Sequence, residues 1–105
     1  MIVEFDDKAL EQLFLFGVAD DKKYSRLPKA IVKSYVKVVN YIRAARRIED
    51  LYLIKSLHYE KKRGTLKDKE AVWINDQYRL IFKSSANSDG IKVNALLIEI
   101  SKHYE

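Results

Sequence analysis

"AVWINDQYRLIFKS", Ala71 to Ser84, places two short apolar runs on either side of Asn75-Asp76. Alternating residues broken by a turn-forming pair predict two antiparallel strands joined by a tight turn. The second run, Tyr78 to Lys83, carries one cation, Arg79, among apolar neighbours. Strand alternation sets Arg79 on the face of Gln77 and Ile81, opposite Tyr78, Leu80 and Phe82. Two readings of that position stand side by side. Arg79 is an outward cation on an open sheet face, or it is a fork for a bound anion, because guanidinium stays charged and donates two parallel hydrogen bonds to phosphate.

Outward from this hairpin the pattern continues as short apolar runs. "LYLIKSL", Leu51 to Leu57, reads as a strand or a partly extended approach to one. "KKRGTLKDKE" is a basic loop around Gly64, "SSANSDG" is a second loop, and Ile91 to Ile100 is a long final strand. Upstream the period changes. Ile31, Val32, Tyr35, Val38, Val39 and Ile42 recur at helical spacing and predict a helix from about Pro28 to Ala45, with Pro28 in the first turn and Lys29, Lys33 and Lys37 forming a basic stripe beside the buried one. Before it, "DDKKYS" reads as a polar connection. Lys8 to Phe16 is a shorter helix, capped by Asp6 or Asp7 and ended by Gly17, and Ile2 to Phe5 is a first strand. The expected fold class is α+β: an N-terminal strand and two helices packed on one face of a small, mainly antiparallel sheet, in one domain over residues 1–105.

Composition bounds the function. The chain has 105 residues, 48% of them apolar and 33% charged, which is a folding composition with room for a modest core. There is no cysteine and there are only two histidines, so thiolate metal sites and disulfides are excluded, and neither a metal nor a cofactor is expected. No apolar run approaches the roughly 20 residues that span a bilayer, so no membrane association and a cytoplasmic location are expected. Net charge is +5, unevenly spread: residues 1–20 hold one basic and five acidic residues, residues 22–49 nine basic and one acidic. Such a face attracts phosphate, although for a charge run by itself a solvated helix face is the better reading.

The run "KSLHYEKKRGTLKDKEAVWINDQYRLIFKSS", followed by "VNALLIEISKHY", resembles the RelE superfamily of bacterial toxins and, within it, the HigB-like plasmid-maintenance "killer" branch. "INDQYRLIF", Ile74 to Phe82, follows that branch's central motif almost position for position, with Tyr78 in the aromatic place and Arg79 in the arginine place. "LPKAIVKSYVKVVNYIRAARRIEDL" is similar to the family's second helix and its exit. The resemblance implies a RelE-like fold and a toxin that cleaves messenger RNA on the ribosome without metal, neutralised by a helix-turn-helix, HigA-like antitoxin. In that chemistry the ribose 2′-OH attacks the adjacent phosphorus and the 5′-oxygen leaves, which calls for a base, a cation facing the phosphate and an acid.

On this view Arg79 faces phosphate, and His103, Tyr104 and Lys62 are the candidate acid and base groups. His58, Lys61, Arg63 and Lys67 are the candidate RNA contacts, with Trp73 and Tyr59 as flat surfaces for a base; Tyr78 offers a third, but it faces away from Arg79 and reads better as core. The chain departs from the family twice. Trp73 stands where members commonly place an arginine, and the tail reads Lys102-His103-Tyr104 where the family more often has aspartate-tyrosine-histidine. Two other readings share the fold: a ParE-like toxin that inhibits DNA gyrase by binding, and a non-catalytic module that binds antitoxin or nucleic acid.

Overall fold

The computed structural model of the protein describes residues 1–62 and 68–102. Strand β1 (Ile2–Phe5) leads into helix α1 (Lys8–Phe16), the one-turn helix α2 (Lys22–Ser25) and the long helix α3 (Lys29–Ala44). A second one-turn helix, α4 (Glu49–Tyr52), and a 3₁₀ turn (Lys55–Leu57) follow, then strands β2 (Glu60–Lys61), β3 (Glu70–Trp73), β4 (Tyr78–Ala86) and β5 (Lys92–Lys102). The described strands form one sheet in the order β1-β5-β4-β3-β2, with β1 parallel to β5 and every other pair antiparallel. The α+β expectation holds.

Local chemistry sets the long elements. The Asp7 carboxylate accepts from the Ala9 amide at 2.8 Å and starts α1. Gly17, at φ 76°, ends it by donating its N–H to the Leu13 carbonyl. In α3 the six residues of the expected stripe are the buried ones, and the Tyr35 hydroxyl donates to the Leu10 carbonyl at 2.8 Å, tying α3 to α1.

Strand β4 runs on to Ala86, into the stretch expected as a loop, and two further segments differ from the sequence reading. "DDKKYS" is no mere connection: Asp21 caps a helical turn by accepting from the Lys23 amide, and this turn buries Tyr24. Leu51 to Leu57 is not extended either. It forms α4 and the 3₁₀ turn, because burying Leu51 and Leu57 against the core takes a coiled path.

From the sheet, Val72, Leu80, Phe82, Ala95, Leu97 and Ile100 meet α1 and α3 in one buried cluster. On β5 the inward positions change from odd to even, and a β-bulge makes that possible: Ile81 pairs with Glu99 while Phe82 pairs with Leu97, so Ile98 is an extra residue. β1 covers β5 only from Asn94 to Leu97. Beyond it, α2 closes the edge: the Ile100 amide donates to the Tyr24 hydroxyl, and Lys23 bridges Glu99 at 3.2 Å. Among the described residues no helix is long and apolar enough to cross a membrane.

Candidate active site

The β3–β4 turn is built by Asn75. Its side-chain oxygen accepts from the Gln77 and Tyr78 amides at 2.9 and 2.8 Å, while the Ile74 amide donates to the Tyr78 carbonyl. This turn fixes the register that pairs Trp73 with Arg79 across the strands. Both side chains project from the face opposite the helices, as alternation predicts, and the guanidinium carbon of Arg79 lies 4.1 Å from the indole centroid. One guanidinium nitrogen, Nη1, also donates to the carbonyls of Asn75 at 2.8 Å and Tyr78 at 3.2 Å. Arg79 is only 7% exposed. The outward cation on an open face is therefore ruled out: this arginine is packed and oriented.

His58 joins the pair from a distant part of the chain. It follows the 3₁₀ turn with φ 44°, a left-handed backbone conformation in which histidine is several-fold enriched among non-glycine residues. Its ring stacks on Trp73 with centroids 3.8 Å apart and planes at 28°, and the residue is exposed. One indole thus holds an imidazole and a guanidinium. Trp73 serves these two neighbours, and its role as a bare platform for a base is correspondingly reduced.

The other candidates are more dispersed. Lys61 is exposed on β2. Lys62 is half-buried, its amide donating to the Lys69 carbonyl and its ammonium bridging Glu60, which pairs in register with Ala71 two residues from Trp73. Arg63, Lys67, His103 and Tyr104 lie outside the described residues. β5 does bring Ser101 opposite Arg79 and Lys102 opposite Tyr78. Tyr78 is half-buried against the core, and Tyr59 packs 4.7 Å from Tyr52, so neither is an open stacking surface.

Sequence reasoning missed Glu70. In sequence it closes the basic stretch "KKRGTLKDKE", yet it opens β3 and is 2% exposed. Its carboxylate accepts from the Tyr59 hydroxyl at 2.6 Å, the Ser84 amide at 2.6 Å and the Ser84 hydroxyl at 2.7 Å. Burial, then the hydrogen bond to Glu70 and its charge, push the Tyr59 phenol well above its usual range, so it stays a donor. The available signal was its spacing, two residues before the core residue Val72.

Residues 3–98 match the family model described as RelE-like toxin of type II toxin-antitoxin system HigB. The chain is 33% identical over 97 residues to Toxin HigB-1 of Vibrio cholerae serotype O1 (strain ATCC 39315 / El Tor Inaba N16961), covering 92% of this chain and 95% of that one. Two solved structures share the fold at a TM-score of 0.58. The YoeB/ParE toxin from Agrobacterium tumefaciens is 13% identical, covering 99% of this chain and 100% of its own; the YoeB-YefM complex from Staphylococcus aureus is 17% identical, covering 99% and 98%.

Proposed function

The chain belongs to the RelE-like HigB toxins of type II toxin–antitoxin systems, and from that premise we propose that it is a ribosome-dependent messenger RNA endonuclease. The observation that carries this reading is the convergence of His58, Trp73 and Arg79 on one sheet face, an imidazole and a guanidinium held on the same ring. Arg79 faces the scissile phosphate and stabilises the charge that develops on it. A base drawn from His58, His103, Tyr104 or Lys62 takes the 2′-OH proton as that oxygen bonds to phosphorus. The P–O5′ bond then breaks, a second member of the group protonates the departing 5′-oxygen, and a 2′,3′-cyclic phosphate remains. Lys61, Arg63 and Lys67 hold the flanking backbone. The protein acts in the cytoplasm as one domain over residues 1–105, and a helix-turn-helix antitoxin neutralises it.

The test is to add purified protein to ribosomes carrying a defined message and to compare it with Arg79→Ala and His103→Ala. Cleavage by the wild type, lost in both variants, is the expected result. Absence of cleavage at stoichiometric protein sinks the proposal. A second reading, gyrase inhibition by binding alone, draws support from the hydrogen bonds that occupy Arg79, and a supercoiling assay with the same preparation separates the two.

A further inference from the structure

His58 and Tyr59 are adjacent in sequence and go to opposite faces of the sheet. His58 stacks on Trp73 on the outer face. The Tyr59 ring turns to the core side, 4.7 Å from Tyr52 and 6.3 Å from Phe82, and its hydroxyl reaches Glu70. The backbone between them is held in the left-handed region at His58, a conformation that persists only where the surroundings over-determine it. On the upstream side the restraint is Leu57, 1% exposed. On the downstream side it is Tyr59. Glu70 is poorly explained as a contributor to stability alone, since a buried carboxylate loses its hydration and an apolar side chain of similar volume usually serves as well. Its three donors come from Tyr59, just before β2, and from Ser84 of β4, so it ties the segment carrying His58 to the strand carrying Arg79.

We propose that Glu70 is a positioning residue: through the Tyr59 hydroxyl it seats the His58 imidazole on Trp73. Its consequence for RNA cleavage rests on the function proposed above, whereas the seating itself is measured without RNA. Trp73 is the sole tryptophan, and an imidazole stacked on an indole quenches its emission. Emission at one fixed pH should therefore show a step upward between the wild type and His58→Gln, and in each variant below the step is the rise on adding His58→Gln.

Tyr59→Phe removes one hydroxyl and leaves Glu70 its two Ser84 donors; Glu70→Ala removes the acceptor, and Glu70→Gln retains part of it. With folding checked by circular dichroism, the step should shrink by more than half in Tyr59→Phe and in Glu70→Ala, with partial recovery in Glu70→Gln. A wild type without a step, or a folded Tyr59→Phe with the full step, overturns the proposal. Should Glu70→Ala fail to fold, Tyr59→Phe decides alone. Message cleavage is then assayed on the same variants: a lost step with undiminished cleavage removes His58 from the reaction and leaves the seating proposal standing, whereas a full step with lost cleavage overturns the seating proposal and assigns the loss to something other than His58.

Discussion

Arg79 combines three contacts that lysine cannot reproduce together: a planar face on the Trp73 ring and hydrogen bonds from one nitrogen to two carbonyls. Arg79→Lys should therefore lose nearly as much as Arg79→Ala, a fall of about 10²–10³ in cleavage rate if the guanidinium stabilises the transition state. Single-turnover cleavage of ribosome-bound message measures this. Tyr35 and Tyr59 provide a second test at this scale. Burial raises both phenols above their ordinary range, so the folded state retains protons that the unfolded chain releases near pH 10. With folded values raised, stability is full below the unfolded pKa and falls as pH rises past it. Urea midpoints should drop from pH 9 to 11, and phenolate absorbance should show these tyrosines ionising only on unfolding.

The helix ends carry their own predictions. Asp7→Ala removes the acceptor for the Ala9 amide and should cost about 1 kcal/mol. Gly17→Ala has open space for its methyl group, yet at φ 76° it should still cost about 1 kcal/mol, because the penalty lies in the backbone. Urea denaturation measures both. These ends were readable because cap, stripe and stop signal agree: Lys8 to Phe16 is the observed α1, and α3 lies within one residue of its expected ends. α2, α4 and the 3₁₀ turn were not readable, since elements of three or four residues are too short for periodicity to register and are shaped by where Tyr24, Leu51 and Leu57 find burial. The site divides in the same way. The face that Arg79 takes follows from strand alternation, whereas its pairing with Trp73 comes from a register set by a turn of three residues, Asn75 to Gln77, not by the Asn75-Asp76 pair alone. His58 on Trp73 depends on a left-handed residue and a path across fifteen positions that no local pattern encodes.

Over the whole molecule, the sequence places acidic residues in the first segment and a basic majority from residue 22 to 49, including Lys29, Lys33 and Lys37 along α3. If this charge meets RNA, the logarithm of affinity should fall linearly with the logarithm of salt concentration, by about 0.7 per phosphate held on a single strand. A slope at or below about 0.7 in filter-binding titrations, equivalent to one contact at most, would rule out the extended basic face. The sheet order has a separate consequence. Among the described residues β1 pairs only with β5, joining Ile2 to Asn94, and Arg79 pairs with Ser101 on that same strand. Such long separations make closure of the sheet a late event in folding. During synthesis, a nascent chain whose β5 is still inside the exit tunnel lacks the strand on which both halves of the sheet converge, so the sheet cannot close until that strand emerges.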